Sequence, residues 1–204
     1  MRNIIFTISF LFTTYFGYSQ VTFGVKSGIN IATTKDIIAF PKNKIGWYGG
    51  GFTIIPVHAK FFLQPEIQYS SKGYGVNQRN PYNAPNPNYR FNYLCVPILA
   101  GYKIDKKTSL LFGPEMGYLM VVREVFPDGE SLDVSKGYPP KFDVGLDIGI
   151  SYKIFSKLGI EVRYNYGLKM LYNVDATGNR HGDGINGANR VFQIGLNYIL
   201  INEL

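Results

Sequence analysis

Few residues in this 204-residue chain are equipped for chemistry: two histidines, one cysteine and 14 carboxylates. A hydrolytic or acyl-transfer centre needs a nucleophile beside a base, and a third group to orient that base. His58 stands in a short connection at residues 56–59, and His181 follows Arg180 and precedes Asp183 and Gly184 in a segment that holds no serine. Both read as exposed histidines of turns and loops, so no catalytic residue is assigned and the chain is expected not to be an enzyme. Asp175, Thr177, Asn179 and Asp183 offer oxygen atoms to a cation, but their spacing matches no loop with defined calcium positions. A single Cys95 excludes a disulfide scaffold and any multi-cysteine metal site, and it reads as a small inward filler. The chain also lacks the G-x-x-x-x-G-K-[ST] loop that cradles phosphates. No metal and no cofactor are therefore expected.

The other ionisable residues recur at every second position. Lys26, Lys103, Lys153, Arg163 and Lys169 share the polar face of alternating segments with Glu66, Glu115, Asp143, Asp147 and Glu161, and Asn30, Gln64, Gln68, Asn165, Gln193 and Asn197 lie between them. Five charges of each sign predict an interior ion-pair core, because a buried charge is costly unless it is paired. A conducting pore would tend to carry a ring of one sign. Asp143 and Asp147 are four residues apart on one strand face, too far to share a proton, and read as partners for Arg163 or Lys169.

The elements that place these residues are strands. Period-two alternation marks eight of them, at residues 21–31, 45–55, 60–72, 89–103, 108–121, 141–154, 158–169 and 189–200. In the seventh, Leu158, Ile160, Val162, Tyr164, Tyr166 and Leu168 alternate with Gly159, Glu161, Arg163, Asn165, Gly167 and Lys169. Each is long enough to cross a bilayer, since a tilted strand needs about 9–11 residues. Composition agrees: 17% of residues are charged, against about 25% in an average globular domain, and 16% are aromatic.

Which face points inward follows from three features. Glycines crowd the polar face, as a narrow barrel interior requires. The apolar face carries too many bulky side chains for an eight-stranded interior to enclose. Aromatics gather near strand ends, with Phe23, Phe61, Tyr102, Tyr152 and Tyr198 at one rim and Tyr48, Tyr69, Tyr118, Phe142, Tyr166 and Phe192 at the other, as in the girdles of membrane barrels. The predicted fold is all-β, an eight-stranded antiparallel transmembrane up-and-down β-barrel. Its connections alternate long and short, which predicts short periplasmic turns and four long outer loops.

The N-terminus supplies an export signal. Arg2 precedes an apolar run at residues 4–16, and Gly17 and Ser19 place small residues for cleavage before Gln20. Residues 1–19 are expected to be a signal peptide and residues 20–204 the barrel domain.

Three motifs carry a resemblance to a known family. Phe23-Gly24-Val25-Lys26-Ser27-Gly28-Ile29-Asn30 resembles the opening strand of the PorT-like outer-membrane β-barrel family of Bacteroidota. Tyr93-Leu94-Cys95-Val96-Pro97-Ile98-Leu99-Ala100-Gly101-Tyr102 is similar to its "YLxxPLLxxY" strand, and Arg163-Tyr164-Asn165-Tyr166-Gly167-Leu168 to its "RYxxGL" strand. The resemblance implies an eight-stranded outer-membrane barrel in a family whose namesake is associated with protein secretion and gliding. The chain departs from many barrels in ending Tyr198-Ile199-Leu200-Ile201-Asn202-Glu203-Leu204 rather than on an aromatic residue, so either Tyr198 serves as the signal for the barrel-assembly machinery or the tail is atypical.

The expected function is structural or surface-interacting, exercised through the outer loops. Tyr74, Tyr82, Phe126 and Tyr138 are the candidate loop contacts for an envelope or host surface protein. The net charge of +7 forms no basic run and does not indicate nucleic acid; loop cations such as Lys42, Lys44, Arg79, Arg123 and Arg190 suit outer-membrane lipid and anionic lipopolysaccharide. The alternatives are a small passive channel and a component supporting secretion.

Overall fold

The computed structural model describes residues 21–35, 41–76, 88–137, 142–168, 173–174, 180–181 and 188–202. Eleven strands occur among them: β1 Thr22–Lys35, β2 Pro41–Pro56, β3 Phe61–Val76, β4 Asn88–Lys103, β5 Thr108–Val125, β6 Ser131–Asp133, β7 Phe142–Lys153, β8 Leu158–Gly167, β9 Asn173–Val174, β10 Arg180–His181 and β11 Ala188–Asn202. Eight of these, all but β6, β9 and β10, pair in the order β4-β3-β2-β1-β11-β8-β7-β5, and a further β4–β5 ladder closes the sheet on itself. Every neighbouring pair is antiparallel, including β1 with β11, where Thr22 opposes Asn202 and Lys35 opposes Ala188. The predicted signal peptide at residues 1–19 lies outside the described residues.

Alternation dictates the two faces. Along β7, Phe142, Val144, Leu146, Ile148, Ile150 and Tyr152 are 37–63% exposed, while Asp143 and Asp147 between them are buried. The apolar side chains thus coat the outside, and the polar ones fill the lumen. Such a surface is stable only against lipid, since a contiguous exposed apolar band of this size is foreign to soluble proteins.

At one end, the turns at residues 57–60, 104–107 and 154–157 are tight, with Val57, Ile104 and Ile154 N–H donating back to the C=O of Phe61, Thr108 and Leu158 at 2.9–3.0 Å. At the other end the strands run further than the spacing predicts. β1 and β2 leave only residues 36–40 between them, and β5 continues into a hairpin with β6 in which Arg123 opposes Asp133. Here the chain keeps pairing beyond the apolar band, where alternation no longer shows in residue type.

Close backbone approach explains two of the glycines. A β-carbon on Gly101 would lie 2.1 Å from Cζ of Phe62, whose ring packs in the lumen with Leu99 and Leu111. One on Gly113 would lie 2.1 Å from the carbonyl oxygen of Ile98 across the β4–β5 ladder. Backbone cannot yield as a side-chain tip can, so Gly113→Ala should destabilise the barrel by about 1–3 kcal/mol. A urea titration in lipid vesicles reads this as a lower midpoint, and an unchanged midpoint would refute the close approach.

Candidate functional site

The lumen carries its chemistry in one knot of charge. Lys26 on β1 extends Nζ to Glu66 Oε1 on β3 at 2.9 Å and to Glu161 Oε1 on β8 at 2.7 Å. Arg163, also on β8, donates Nη2 to the same two carboxylates at 2.7 and 2.6 Å and Nη1 to Asp147 Oδ2 on β7 at 3.2 Å. Gln64 Nε2 adds a bond to Glu66 Oε1 at 2.8 Å, and Gln68 donates to Glu66 Oε2. All these side chains are nearly or wholly buried. Charge-assisted bonds of this kind are the strong ones, and here they tie four strands across the barrel.

A second tier lies outward of the knot. Lys72 on β3 bonds Glu115 Oε1 on β5 at 2.6 Å and sits 5.2 Å from the ring centroid of Tyr93. Asn165 Nδ2 donates to Asp147 Oδ1 at 2.6 Å, and Asn189 Nδ2 donates to Asp143 Oδ2 at 2.6 Å and to the Tyr93 hydroxyl at 3.3 Å. Apolar side chains stop the lumen at both ends of these tiers. Tyr74, Phe91, Tyr93, Cys95, Leu119 and Val122 pack together on the outer side, and Phe62, Leu99 and Leu111 on the periplasmic side.

Several expected positions differ. Lys153 and Lys103 have the inward parity but stand exposed at the periplasmic strand ends, where a long side chain reaches water. The interior is therefore not balanced five to five: among the described residues, Lys26, Lys72 and Arg163 face Glu66, Glu115, Asp143, Asp147 and Glu161. Tyr74 is not a loop residue; it is 4% exposed inside β3 and stacks on Tyr89 at 5.1 Å. Tyr48, assigned above to the lipid rim, is 1% exposed in the lumen. Phe126 is half-buried at the start of the outer hairpin turn. Lys169, Tyr82 and Tyr138 lie outside the described residues. Lys72 is the site residue absent from the expectation, although it shares the even-numbered parity of Gln64, Glu66 and Gln68 and so carried the signal.

Outside the membrane span, the electrostatics are those of capped turns. Asp105 accepts backbone N–H bonds from Lys107 at 2.6 Å and Thr108 at 2.8 Å, which hold its carboxyl below the usual carboxylate range. Asp133 is lowered similarly by the hydroxyl and backbone N–H of Ser135. No cluster of three or more histidine, cysteine or acidic residues suited to a metal occurs among the described residues.

Residues 10–173 match the family model described as the outer membrane protein beta-barrel domain. Among solved structures, the chain is similar to the Neisserial surface protein A, at 12% identity over 88% of this chain and 99% of that one, with a TM-score of 0.57. It is also similar to the attachment invasion locus protein Ail of Yersinia pestis, solved with the heparin analogue sucrose octasulfate, at 13% identity over 89% and 99% of the two chains and a TM-score of 0.49. OprG from Pseudomonas aeruginosa follows at 14% identity, 90% and 98% coverage and a TM-score of 0.42. No curated protein matches the chain.

Proposed function

Because the chain belongs to the outer membrane protein beta-barrel domain family and resides in the bacterial outer membrane, we propose that it is a closed, non-enzymatic barrel that works through its outer surface. The observation that carries this reading is the filled lumen. The knot of Lys26, Glu66, Asp147, Glu161 and Arg163 bridges opposite walls, and apolar clusters lie on either side of it. An ion crossing would have to break bonds between fully desolvated charges, which is far costlier than crossing a water-filled ring of one sign.

The outer end suits a surface role. Arg90 and Arg123 oppose each other on β4 and β5 with both side chains exposed. Like charges in direct opposition repel; Asp133, opposite Arg123 on β6, offsets part of that repulsion, and a lipopolysaccharide phosphate between the arginines would offset the rest. Arg190, with its guanidinium 3.7 Å from the ring centroid of Tyr166, adds a further cation at this rim. Residues 1–19 are removed on export in this reading, and Tyr198, half-exposed on the last strand, is presented to the assembly machinery. Membership of the PorT-like branch, with a supporting role in secretion, rests on the Tyr93–Tyr102 and Arg163–Leu168 motifs.

Planar-bilayer recording of the purified barrel tests the proposal. No reproducible single-channel steps are expected, and discrete steps that persist in repeated preparations would replace it with the passive-channel reading.

A further inference from the structure

The periplasmic mouth of the barrel is a basic vestibule. A cavity of about 780 Å³ opens there beneath the periplasmic apolar cluster, floored by Phe52, Phe62 and Gln64. Lys60, Lys103, Lys106, Lys107, Lys153 and Lys157 all line it, and Asp105 is the only carboxylate among its described lining residues. That carboxylate is already engaged by the backbone N–H groups of Lys107 and Thr108. The outer end differs, since the exposed cations Lys42, Arg90 and Arg123 are interspersed there with Asp128, Glu130 and Asp133.

Backbone pairing fixes the lysines beside one another. Lys103 N–H donates to the Lys60 carbonyl at 2.8 Å, and Lys153 N–H donates to the Lys107 carbonyl at 2.8 Å. Two lysine pairs are thereby held on neighbouring strand ends, and Lys107 and Lys153 repel each other unless an anion lies between their ammonium groups. Ammonium groups are compact point charges with three donors each and suit an anion with many oxygens, such as phosphate. The volume falls within the range of small-molecule sites, about 300–1,000 Å³.

We propose that this vestibule binds a soluble anion carrying several phosphate groups, admitted from the periplasm and held chiefly by Lys103 and Lys153. Both residues continue the lumen-facing parity of their strands, beyond Leu99 and Gly101 on β4 and beyond Asp147 and Gly149 on β7. They therefore address the open vestibule at the mouth rather than the lipid. Lys60 differs, lying 5.9 Å from the ring centroid of the outward-facing Tyr102, a position suited to lipid headgroups. Gln64 connects the floor to the charged knot through its hydrogen bond to Glu66.

Calorimetric titration of the full, folded barrel in non-ionic detergent with sodium tripolyphosphate tests this. Saturable binding is expected that weakens as salt is raised. The Lys103→Gln/Lys153→Gln double variant should lose about tenfold or more in affinity, as expected for losing two charged donors. Lys103→Arg/Lys153→Arg should retain binding, as should Lys136→Gln, which removes an exposed lysine at the outer end of the barrel. Heat-modifiable gel migration identifies the folded fraction of each variant. Equal affinity in wild type and the glutamine double variant would overturn the proposal, as would loss of binding in Lys136→Gln. Native mass spectrometry from phosphatidylglycerol nanodiscs supplies the other source of phosphate. Lipid retention that depends on Lys103 and Lys153, with no tripolyphosphate binding in detergent, would overturn the soluble ligand in favour of a headgroup.

Discussion

Arg163→Met should lower the unfolding free energy of the barrel by about 3–5 kcal/mol, the usual consequence of removing one partner from a buried ionic cluster. Arg163 is 1% exposed and contacts Glu66, Glu161 and Asp147, so the substitution leaves three buried carboxylates with one neighbouring cation, Lys26, which touches only Glu66 and Glu161. Methionine fills much of the volume, so the loss reports charge rather than a cavity. The described lumen already holds more carboxylates than cations, which makes a cation the costlier group to remove. Asp147→Asn in the Arg163→Met background should recover part of the loss, because it removes the carboxylate whose ion-pair partner was Arg163 and which Lys26 does not reach. Urea titration in vesicles, read by heat-modifiable migration, gives both numbers. A midpoint for Arg163→Met equal to wild type would show that the knot contributes nothing to stability.

Ile148→Arg should cost about 2–4 kcal/mol, as a cation on the lipid face at mid-depth does in other barrels. Ile148 lies at the middle of β7, is 59% exposed, and is flanked across the ladders by Phe112 on β5 and Tyr164 on β8. An arginine there must either enter hydrocarbon or draw water to it. Phe142→Arg, at the outer end of the same strand, should cost only about 0–1 kcal/mol because the side chain can snorkel to the headgroups. The depth dependence is what distinguishes lipid from water. Equal effects of the two substitutions would mean that the apolar face does not meet a bilayer.

Strand count, facing and closure could be read from the sequence because each depends on period-two alternation, which shows directly in residue type. Depth along a strand does not. Lys153 has the parity of Asp147 but sits six residues nearer the periplasm, so its charge stands in the open mouth of the barrel and not in the packed lumen. Tyr48 lies inside because β2 turns Tyr48 and Phe52 inward and Ile45 and Trp47 outward, a facing that its mixed sequence hides, and Tyr74 lies inside because β3 runs on to Val76, past the end of the apolar alternation. The even parity of Lys72 was visible, yet its place as the last residue of a predicted strand hid its depth. The contacts within the knot were out of reach for another reason. Arg163 finds Glu66 from 97 residues away, and only the register of the closed sheet brings them together.

That separation bears on how the protein is made. Lys26 meets Glu66 across 40 residues but Glu161 only across 135, and β1 has no second neighbour until β11 arrives. Pairings this distant in sequence form slowly, since loop closure precedes any gain from contact. A sheet of β1–β3 in the bilayer would carry Lys26 and Glu66 with one face still open to hydrocarbon, and one of β7 and β8 would carry Asp147, Glu161 and Arg163 in the same condition. Each half-inserted intermediate is therefore penalised by the groups that later hold the barrel together, and insertion is driven to coincide with closure of the β1–β11 seam.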